Sequence, residues 1–245
     1  MTDYVTLAGG CFWCTEAVFK DVIGVESVES GYIGGHVPDP TYKQVCGGDT
    51  GHAEAIRIGF DPEQLKLGDL LDIFFATHDA TTLNRQGNDV GTQYRSAMFP
   101  MDDSQRSEMQ AALERAQADS PKPIVTTIEA PQDAVASTWY EAEGYHQDYW
   151  ETSGRSNPYC MAVIPPKLQK LRKSFAARIS ASCASFAGNM AERYCVPTSL
   201  PWRLSCVGLC VAKKMSSTSA RLTCSGSKPT RIASAWPVSP PQTCL

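Results

Sequence analysis

The chain has 245 residues, of which 42% are hydrophobic, and a formal net charge of −4 at pH 7. This length and composition suffice for one well-packed domain. The acidic balance gives no indication of nucleic acid or an anionic membrane as a partner, and no apolar run approaches the roughly 18 residues that a membrane-spanning helix needs.

The composition changes close to Ile179. Every aspartate and every glutamate except Glu192 precedes this point, whereas six of the ten cysteines follow it. The later part is basic, rich in serine, and without sustained helix or strand periodicity. We therefore predict a catalytic domain at residues 1–179 and a disordered, low-complexity Ser/Cys-rich tail at residues 180–245. The cysteine spacings in the tail match no zinc pattern, so no metal is expected.

The first half of the domain alternates short apolar strands with amphipathic helices. Strands are predicted at residues 5–8, 25–33, 53–60 and 96–99, and helices at residues 13–20, 67–78 and 104–118, the last capped by Asp103 or Ser104. The first six elements follow the order β-α-β-β-α-β, which is that of a split β-α-β core. We therefore predict an α+β, ferredoxin-like fold whose long polar loops, at residues 36–51 and 79–92, carry the function.

The second half of the domain is less regular. Strands are predicted at residues 124–128 and 159–164, on either side of a mixed aromatic stretch at residues 139–150. A last helix is expected to begin at Pro165 and Pro166 and to end by Arg178.

Cys11 lies between the first predicted strand and the first predicted helix, in the segment Gly9-Gly-Cys-Phe-Trp-Cys-Thr-Glu-Ala-Val18. A helix N-terminus favours negative charge, so we expect the reactive thiolate to form near neutral pH. A small cysteine can also be buried simply as a hydrophobic residue. The flanking glycines and the Cys-x-x-Cys spacing favour the reactive interpretation.

Glu54 lies in the predicted strand at residues 53–60. Alternate residues of a strand share a face, so Glu54 points the same way as Ile56 and Ile58. A carboxyl group on a buried apolar face has a raised pKa and can donate a proton at neutral pH. The alternative is that Glu54 leans into solvent or caps the turn at Gly51.

The polar loops contain Tyr42, Asp89 and Tyr94. Tyrosine hydroxyls can donate a hydrogen bond to an oxygen that gains charge during a reaction, although many loop tyrosines only pack or bind water. The four histidines are scattered without a metal-binding spacing, and His78 fits the apolar face of its predicted helix.

Four segments together resemble the A-type peptide methionine sulfoxide reductases, and the resemblance covers roughly residues 4 to 178. They are Gly10-Cys-Phe-Trp13, Gly48-Asp-Thr-Gly-His-Ala-Glu54, Gly87-Asn-Asp-Val-Gly-Thr-Gln-Tyr-Arg95 and Tyr145-His-Gln-Asp-Tyr149. The family reduces the S epimer of methionine sulfoxide and thereby repairs oxidised proteins.

The resemblance implies a role for each matched residue. Cys11 would be the nucleophile that attacks the sulfoxide sulfur, and Glu54 the acid that protonates its oxygen. Tyr42 and Tyr94 would hydrogen-bond the same oxygen, while Asp89 would help to order the site.

The resemblance also assigns Phe12 and Trp13 to an apolar wall that holds the substrate's methyl group. The reaction leaves Cys11 as a sulfenic acid, which a resolving cysteine usually converts to a disulfide. Cys14 is the first candidate because of the Cys-x-x-Cys spacing, and Cys160 is the second. Cys46 is a third, weaker candidate.

Thioredoxin is the electron donor that the resemblance implies, with no bound cofactor. The substrates would be oxidised proteins or free methionine sulfoxide. The N-terminus lacks the features of a signal peptide, so we expect a cytoplasmic protein, and we expect a monomer. Two other functions remain open: a general thiol-disulfide oxidoreductase that uses Cys11 and Cys14, and a module that binds oxidised methionine without turnover.

Overall fold

The structure is a computed structural model, and it describes residues 1–179. The tail predicted at residues 180–245 lies outside the described residues. Across residues 1–179, no helix is both long enough and apolar enough to cross a membrane.

The strands form one large sheet and one small hairpin. In chain order they are β1 (Asp3–Gly9), β2 (Val25–Ile33), β3 (Ala53–Phe60), β4 (Arg85–Gln86), β5 (Asp89–Val90), β6 (Ser96–Phe99), β7 (Thr127–Ile128) and β8 (Tyr140–Glu141). Six strands pair in the order β7-β6-β1-β3-β2-β8, and all neighbours are antiparallel except β6 and β7. β4 and β5 pair only with each other. The described residues thus form an α+β fold around a mixed central sheet.

Seven α-helices accompany the strands in the described residues. They are α1 (Phe12–Phe19), α2 (Tyr42–Cys46), α3 (Leu67–Thr77), α4 (Asp103–Asp119), α5 (Ala134–Ser137), α6 (Tyr149–Thr152) and α7 (Pro158–Ser174). The predicted cap of α4 at Asp103 or Ser104 is wrong. Asp102 caps this helix instead, because its carboxylate accepts a 2.8 Å hydrogen bond from the Gln105 amide.

The main hydrophobic core lies on one face of the sheet, between the central strands and the helices. Leu7 and Ile56 point into it and pack with buried residues of α1, α3 and α7. Their neighbours in the chain, Ala8 and Ala55, point the opposite way and belong to a smaller apolar cluster on the other face of the sheet. Both faces of β3 are therefore buried near its start, where the sequence places Glu54.

The region around Cys160 differs from its prediction. The sequence suggests a strand at residues 159–164 and a helix that begins at Pro165, but α7 begins at Pro158 and runs through both prolines. Asn157 caps α7 by accepting a 2.9 Å hydrogen bond from the Tyr159 amide. The helical period aligns a buried face at Cys160, Ile164, Leu168 and Leu171. Burial of this face outweighs both the strand-like composition and the two amides that proline removes.

In three other segments, the secondary structure differs in length or number of elements from the prediction. The strand predicted at residues 124–128 is reduced to β7, because the Ile124 and Val125 amides donate to Gln117 and Ala80 instead of to a neighbouring strand. The loop at residues 36–51 contains α2, and the loop at residues 79–92 contains the β4–β5 hairpin. The aromatic stretch at residues 139–150 contains β8, a short 3-10 helix and the start of α6.

Replacing Gly31 by alanine is expected to destabilise the domain. An added β-carbon would lie 2.5 Å from the Tyr140 carbonyl oxygen and 2.4 Å from the Trp139 ring, so β8 would have to move away from β2. Overpacking of this kind typically lowers the free energy of unfolding by about 1–3 kcal/mol. Urea denaturation of the variant measures the loss.

Gly144→Ala is the matched control, because nothing lies within 4 Å of the position that its β-carbon would take. We expect its unfolding free energy to remain within about 0.5 kcal/mol of the parent. Equal stability of both variants would contradict the close approach of β8 to β2.

Candidate active site

Cys11 lies where the chain leaves β1 and enters α1. Gly10 makes this turn with a φ of 90°, and a β-carbon there would lie 2.5 Å from Gln86, so only glycine fits. The Cys11 carbonyl accepts hydrogen bonds from the Cys14 and Thr15 amides at 3.1 and 3.3 Å, which begins the helix. Cys11 therefore lies at the helix N-terminus that the glycine-cysteine pattern predicts, and it is 7% exposed.

Glu54 lies beside this turn. Its side chain is 1% exposed, and its Oε2 accepts a 3.1 Å hydrogen bond from the Phe12 amide, the residue next to Cys11. The alternative that Glu54 leans into solvent is therefore wrong. Burial raises the pKa of Glu54 to about 8, so most of this carboxyl is protonated at neutral pH. The structure thus places a largely protonated carboxyl group next to the thiol.

The surroundings of Cys11 oppose the expected low pKa. A hydrogen bond with Cys14, burial, and the carboxyl groups of Glu54 and Asp89 all raise the pKa of Cys11. The same hydrogen bond from Cys11 lowers the pKa of Cys14. Without substrate, Cys11 is therefore held as a thiol that contacts its Cys-x-x-Cys partner, despite its position at the helix N-terminus.

Tyr42 and Tyr94 approach the same place from two different loops. Tyr42 begins α2, where a capping box of Thr41 and Gln44 stabilises the turn. Burial raises the pKa of both tyrosines, and nearby Glu54 raises it further, so their hydroxyls remain protonated. Neither hydroxyl makes a hydrogen bond to the described residues, so both are free to donate to a substrate atom.

Asp89 closes another side of the site from β5. It is 8% exposed, burial raises its pKa, and its Oδ2 accepts a hydrogen bond from the Tyr159 hydroxyl. Tyr159 also lies close to Cys14 and helps to lower the pKa of that thiol. Tyr159 was missed because its segment was predicted as a strand. The capping residue Asn157, followed by proline, was the available signal for a helix start there.

Phe12 and Trp13 lie in a cluster of aromatic rings at the start of α1. Trp13 stacks on Tyr149 with ring centroids 3.9 Å apart, and Phe12 stacks on Tyr42 at 6.3 Å. Phe12 and Trp13 are 1% and 2% exposed. The cluster provides an apolar surface next to the thiol and the carboxyl group.

The segment at residues 143–149 holds these rings in place. Gln147 both donates to and accepts from the backbone of Ser30 at 2.9 Å, which fastens the segment to β2. Glu143 accepts from the Tyr32 hydroxyl and the Tyr42 amide, each at 2.9 Å. These contacts explain why a motif about 90 residues away from Glu54 in the sequence belongs to the same site.

Cys160 is fully buried on α7, near Cys14. Burial, together with the charges of Cys14 and Asp89, raises the pKa of the Cys160 thiol to about 12. Cys11, Cys14 and Cys160 are all free thiols. The third candidate, Cys46, ends α2.

Comparisons with known proteins point in the same direction as this geometry. The sequence profile of the family described as peptide methionine sulfoxide reductase matches residues 3–179. A peptide methionine sulfoxide reductase MsrA from Erwinia tasmaniensis is 69% identical over 176 residues, which cover 72% of this chain and 96% of the relative. The MsrA of Deinococcus radiodurans is 55% identical over 182 residues, which cover 72% of this chain and 84% of the relative.

Solved structures give the same result for the fold. Reduced Mxr1 from Saccharomyces cerevisiae superimposes with a TM-score of 0.58 and 37% identity, covering 62% of this chain and 86% of that protein. Methionine sulfoxide reductase A of Corynebacterium diphtheriae gives a TM-score of 0.55 and 32% identity, covering 62% and 75% of the two chains. Because the family profile spans residues 3–179 and both relatives are more than half identical to this chain over nearly its whole described part, the chain belongs to the peptide methionine sulfoxide reductase family, type A.

Proposed function

We propose that Cys11 attacks the sulfur of a methionine sulfoxide while Glu54 protonates the sulfoxide oxygen. A bond forms between the two sulfurs, and the protonated oxygen then passes to Cys11 as the sulfur–sulfur bond breaks. The products are methionine and Cys11 sulfenic acid, so the substrate gains two electrons and the thiol loses them. The proton of the Cys11 thiol restores the proton that Glu54 donates.

The state of Glu54 is the observation that carries this proposal. A carboxyl group with a pKa of about 8 is a proton donor at neutral pH, and its hydrogen bond to the Phe12 amide keeps it next to Cys11. A general thiol-disulfide oxidoreductase has no need for such an acid. The binding-only alternative does not explain why a reactive thiol lies beside it.

The remaining side chains would bind and orient the substrate. We propose that the Tyr42 and Tyr94 hydroxyls donate to the sulfoxide oxygen, which gains negative charge during the attack. Asp89 would order the site through Tyr159. Phe12 and Trp13 would hold the methyl group, because apolar rings exclude water from it.

Turnover of the two sulfoxide epimers with dithiothreitol tests this function. We expect reduction of methionine S-sulfoxide and of peptides that contain it, with the R epimer left unchanged, because each reductase type acts on one epimer. Reduction of insulin disulfides without sulfoxide turnover would favour the oxidoreductase alternative. Binding of oxidised peptide without turnover would favour the binding module.

We propose Cys14 as the resolving cysteine. Its thiol lies beside Cys11, and this neighbour lowers its pKa, which favours its reaction with the sulfenic acid. Attack on the Cys11 sulfur would form the disulfide and release the oxygen as water. Cys160 is less suited, because burial raises the pKa of its thiol to about 12.

The protein is expected to form a Cys11–Cys14 disulfide after reaction with one equivalent of methionine sulfoxide in the absence of reductant. Peptide mapping by mass spectrometry identifies the bond, because a Cys11–Cys160 bond would link peptides from distant parts of the chain. Such a bond in a Cys-x-x-Cys turn should also be reduced easily by dithiothreitol.

Cys14→Ser and Cys160→Ser are the matched variants for this experiment. We expect the first to accumulate sulfenic acid and the second to form the disulfide at the parent rate. Trapping of Cys11–Cys160 in the parent protein would transfer the resolving role to α7. A persistent sulfenic acid in the parent protein would mean that neither cysteine resolves it.

We further propose that thioredoxin reduces the disulfide, that the substrates include both free and protein-bound methionine sulfoxide, and that the protein is a cytoplasmic monomer. We propose a ferredoxin-like, split β-α-β core, which the strand order β6-β1-β3-β2 supports. The division into a catalytic domain at residues 1–179 and a separate tail at residues 180–245 also remains a proposal.

A further inference from the structure

Lys167 on α7 is a charged residue that the proposed mechanism does not use. It follows Cys160 by seven residues, which is two turns along the same side of the helix. Its side chain is partly buried, and its Nζ donates a 3.0 Å hydrogen bond to the carbonyl oxygen of Thr77, the last residue of α3. The ammonium group is thus fixed at a helix C-terminus, where unpaired carbonyl groups favour positive charge.

The end of α3 adjoins the turn that carries the reactive thiol. A β-carbon on Gly9 would lie 3.4 Å from the His78 ring and 3.4 Å from the Thr15 side chain, so the residues that follow α3 and that follow the second thiol flank the same glycine. The Asp79 amide donates a 2.9 Å hydrogen bond to Gln86 Oε1, which joins this end of α3 to the hairpin of β4 and β5. The anchored ammonium group therefore lies where α3, α7, the hairpin and the turn meet.

Lys167 brings a positive charge to a set of groups that are otherwise neutral or negative. The titratable and charged groups that face Cys14 within residues 1–179 are Cys11, Glu54, Asp89, Tyr159, Cys160 and Lys167. Among them, Lys167 is the only cation.

The charge of Lys167 acts on Cys14 and on Asp89. Contact with Cys11 lowers the pKa of Cys14 most, burial opposes this effect, and Lys167 lowers the pKa further, whereas Asp89 raises it. Burial raises the pKa of Asp89, and Lys167 opposes that rise. When Cys11 has been oxidised, its thiol no longer assists Cys14, and the positive charge that favours a Cys14 thiolate must come from another residue.

We propose that Lys167 is a positioning residue for the second chemical step: its ammonium group stabilises the Cys14 thiolate that attacks the Cys11 sulfenic acid. This rests on the proposed role of Cys14 as the resolving cysteine. A sulfur–sulfur bond forms as the sulfur–oxygen bond of Cys11 breaks, so the Cys14 sulfur is oxidised and the sulfenic sulfur is reduced. The oxygen leaves as water with the proton that Cys14 released.

Alkylation of Cys14 in a Cys11→Ser background tests the effect of the charge without any turnover. The rate with iodoacetamide is followed by mass spectrometry of the Cys14 peptide across a range of pH. We expect Lys167→Met to slow the reaction roughly three- to tenfold at pH 7 and to move the profile to higher pH, because loss of the cation disfavours the thiolate. Above both midpoints the variant should react at least as fast as the lysine protein, since a less acidic thiol gives a more nucleophilic thiolate.

Two further substitutions separate the charge of Lys167 from its hydrogen bond. Lys167→Gln keeps an N–H donor for the Thr77 carbonyl but loses the charge, so we expect the same altered profile as in Lys167→Met. Lys167→Arg keeps both and should retain the profile of the lysine protein. A slower reaction in all three variants, without a move of the profile along pH, would show that Lys167 has only a structural role.

Lys170→Met is the matched control. Lys170 is an exposed lysine about one turn further along α7, so this variant loses the same charge from the same helix. We expect its Cys14 alkylation rate to stay within about twofold of the lysine protein at every pH. An equal loss in Lys170→Met would show that net charge, and not the position of Lys167, causes the effect.

A single turnover in the chain that retains Cys11 places the effect in the reaction. With one equivalent of methionine S-sulfoxide and no reductant, we expect Lys167→Met to release methionine within about threefold of the parent rate. The Cys11–Cys14 disulfide should then form more slowly at pH 7, by the same factor as the alkylation.

Two results would overturn the proposal. One is an unchanged pH profile of Cys14 alkylation in folded Lys167→Met and Lys167→Gln, and the other is a Cys11–Cys160 disulfide in the parent protein. The proposed function would fail differently, by an absence of methionine release from the wild-type protein, because the alkylation experiment needs no sulfoxide.

Discussion

The Cys11→Ser variant is expected to have no measurable sulfoxide reductase activity. A serine hydroxyl is far less nucleophilic than a thiol, and it cannot form the sulfenic acid or the disulfide that follow. Serine is close to cysteine in size, so the turn at Gly10 and the start of α1 should be retained. Turnover of methionine S-sulfoxide with dithiothreitol, together with circular dichroism, measures both expectations.

Cys160→Ser is the control for this variant, since it replaces another buried cysteine in the same core. With dithiothreitol present, we expect it to retain activity within about threefold of the parent. Appreciable turnover by folded Cys11→Ser would show that another thiol is the nucleophile. Cys14, which contacts Cys11, would then be the first residue to examine.

The Glu54→Gln variant is expected to slow the reductive step by roughly 10²–10⁴-fold, the usual contribution of general acid catalysis. Glutamine can still accept a hydrogen bond from the Phe12 amide, but it cannot protonate the sulfoxide oxygen. Single-turnover kinetics isolates this step from disulfide recycling. Alkylation of Cys11 by iodoacetamide should be no slower in the variant than in the parent, because loss of the Glu54 carboxylate removes one of the groups that raise the pKa of Cys11.

The rate of the wild-type reaction should also change with pH in a direction that the pKa of Glu54 determines. The acid form of Glu54 is the active form, and its pKa is about 8, so the wild-type rate should fall as the pH rises through about 8. The Glu54→Gln variant should lack this fall. Glu29→Gln, on the neighbouring strand β2, is the control, because Glu29 pairs with Arg57 and not with the site. A Glu54→Gln rate within about threefold of the parent would leave Glu54 with a structural role only.

Several parts of the site follow from the sequence because they depend on neighbouring residues. Two glycines before Cys11 and an apolar run after it predict a turn that leads into a helix, and the structure confirms both. Glu54 shares a strand face with Ile56 and Ile58, because side chains alternate along a strand, and this predicts that it is buried. The strands β2, β3 and β6 have the bounds that the apolar pattern predicts.

Other features depend on contacts between distant residues, and only the tertiary structure determined them. The Tyr159–Asp89 hydrogen bond joins residues 70 positions apart, and the Trp13–His146 bond joins residues 133 positions apart. The helix α7 passes through two prolines because burial of Cys160 and the apolar residues that follow it outweighs local preference.

The pKa of Cys11 shows the same division between local and distant effects. The helix N-terminus, which is visible in the sequence, favours the thiolate, whereas the contact with Cys14, burial and the carboxyl groups of Glu54 and Asp89 disfavour it. By itself, the sequence determined which residues carry the chemistry and where the chain turns. The tertiary structure decided their protonation and their partners, because burial and charge depend on every segment that packs around a group and not on its neighbours in the chain.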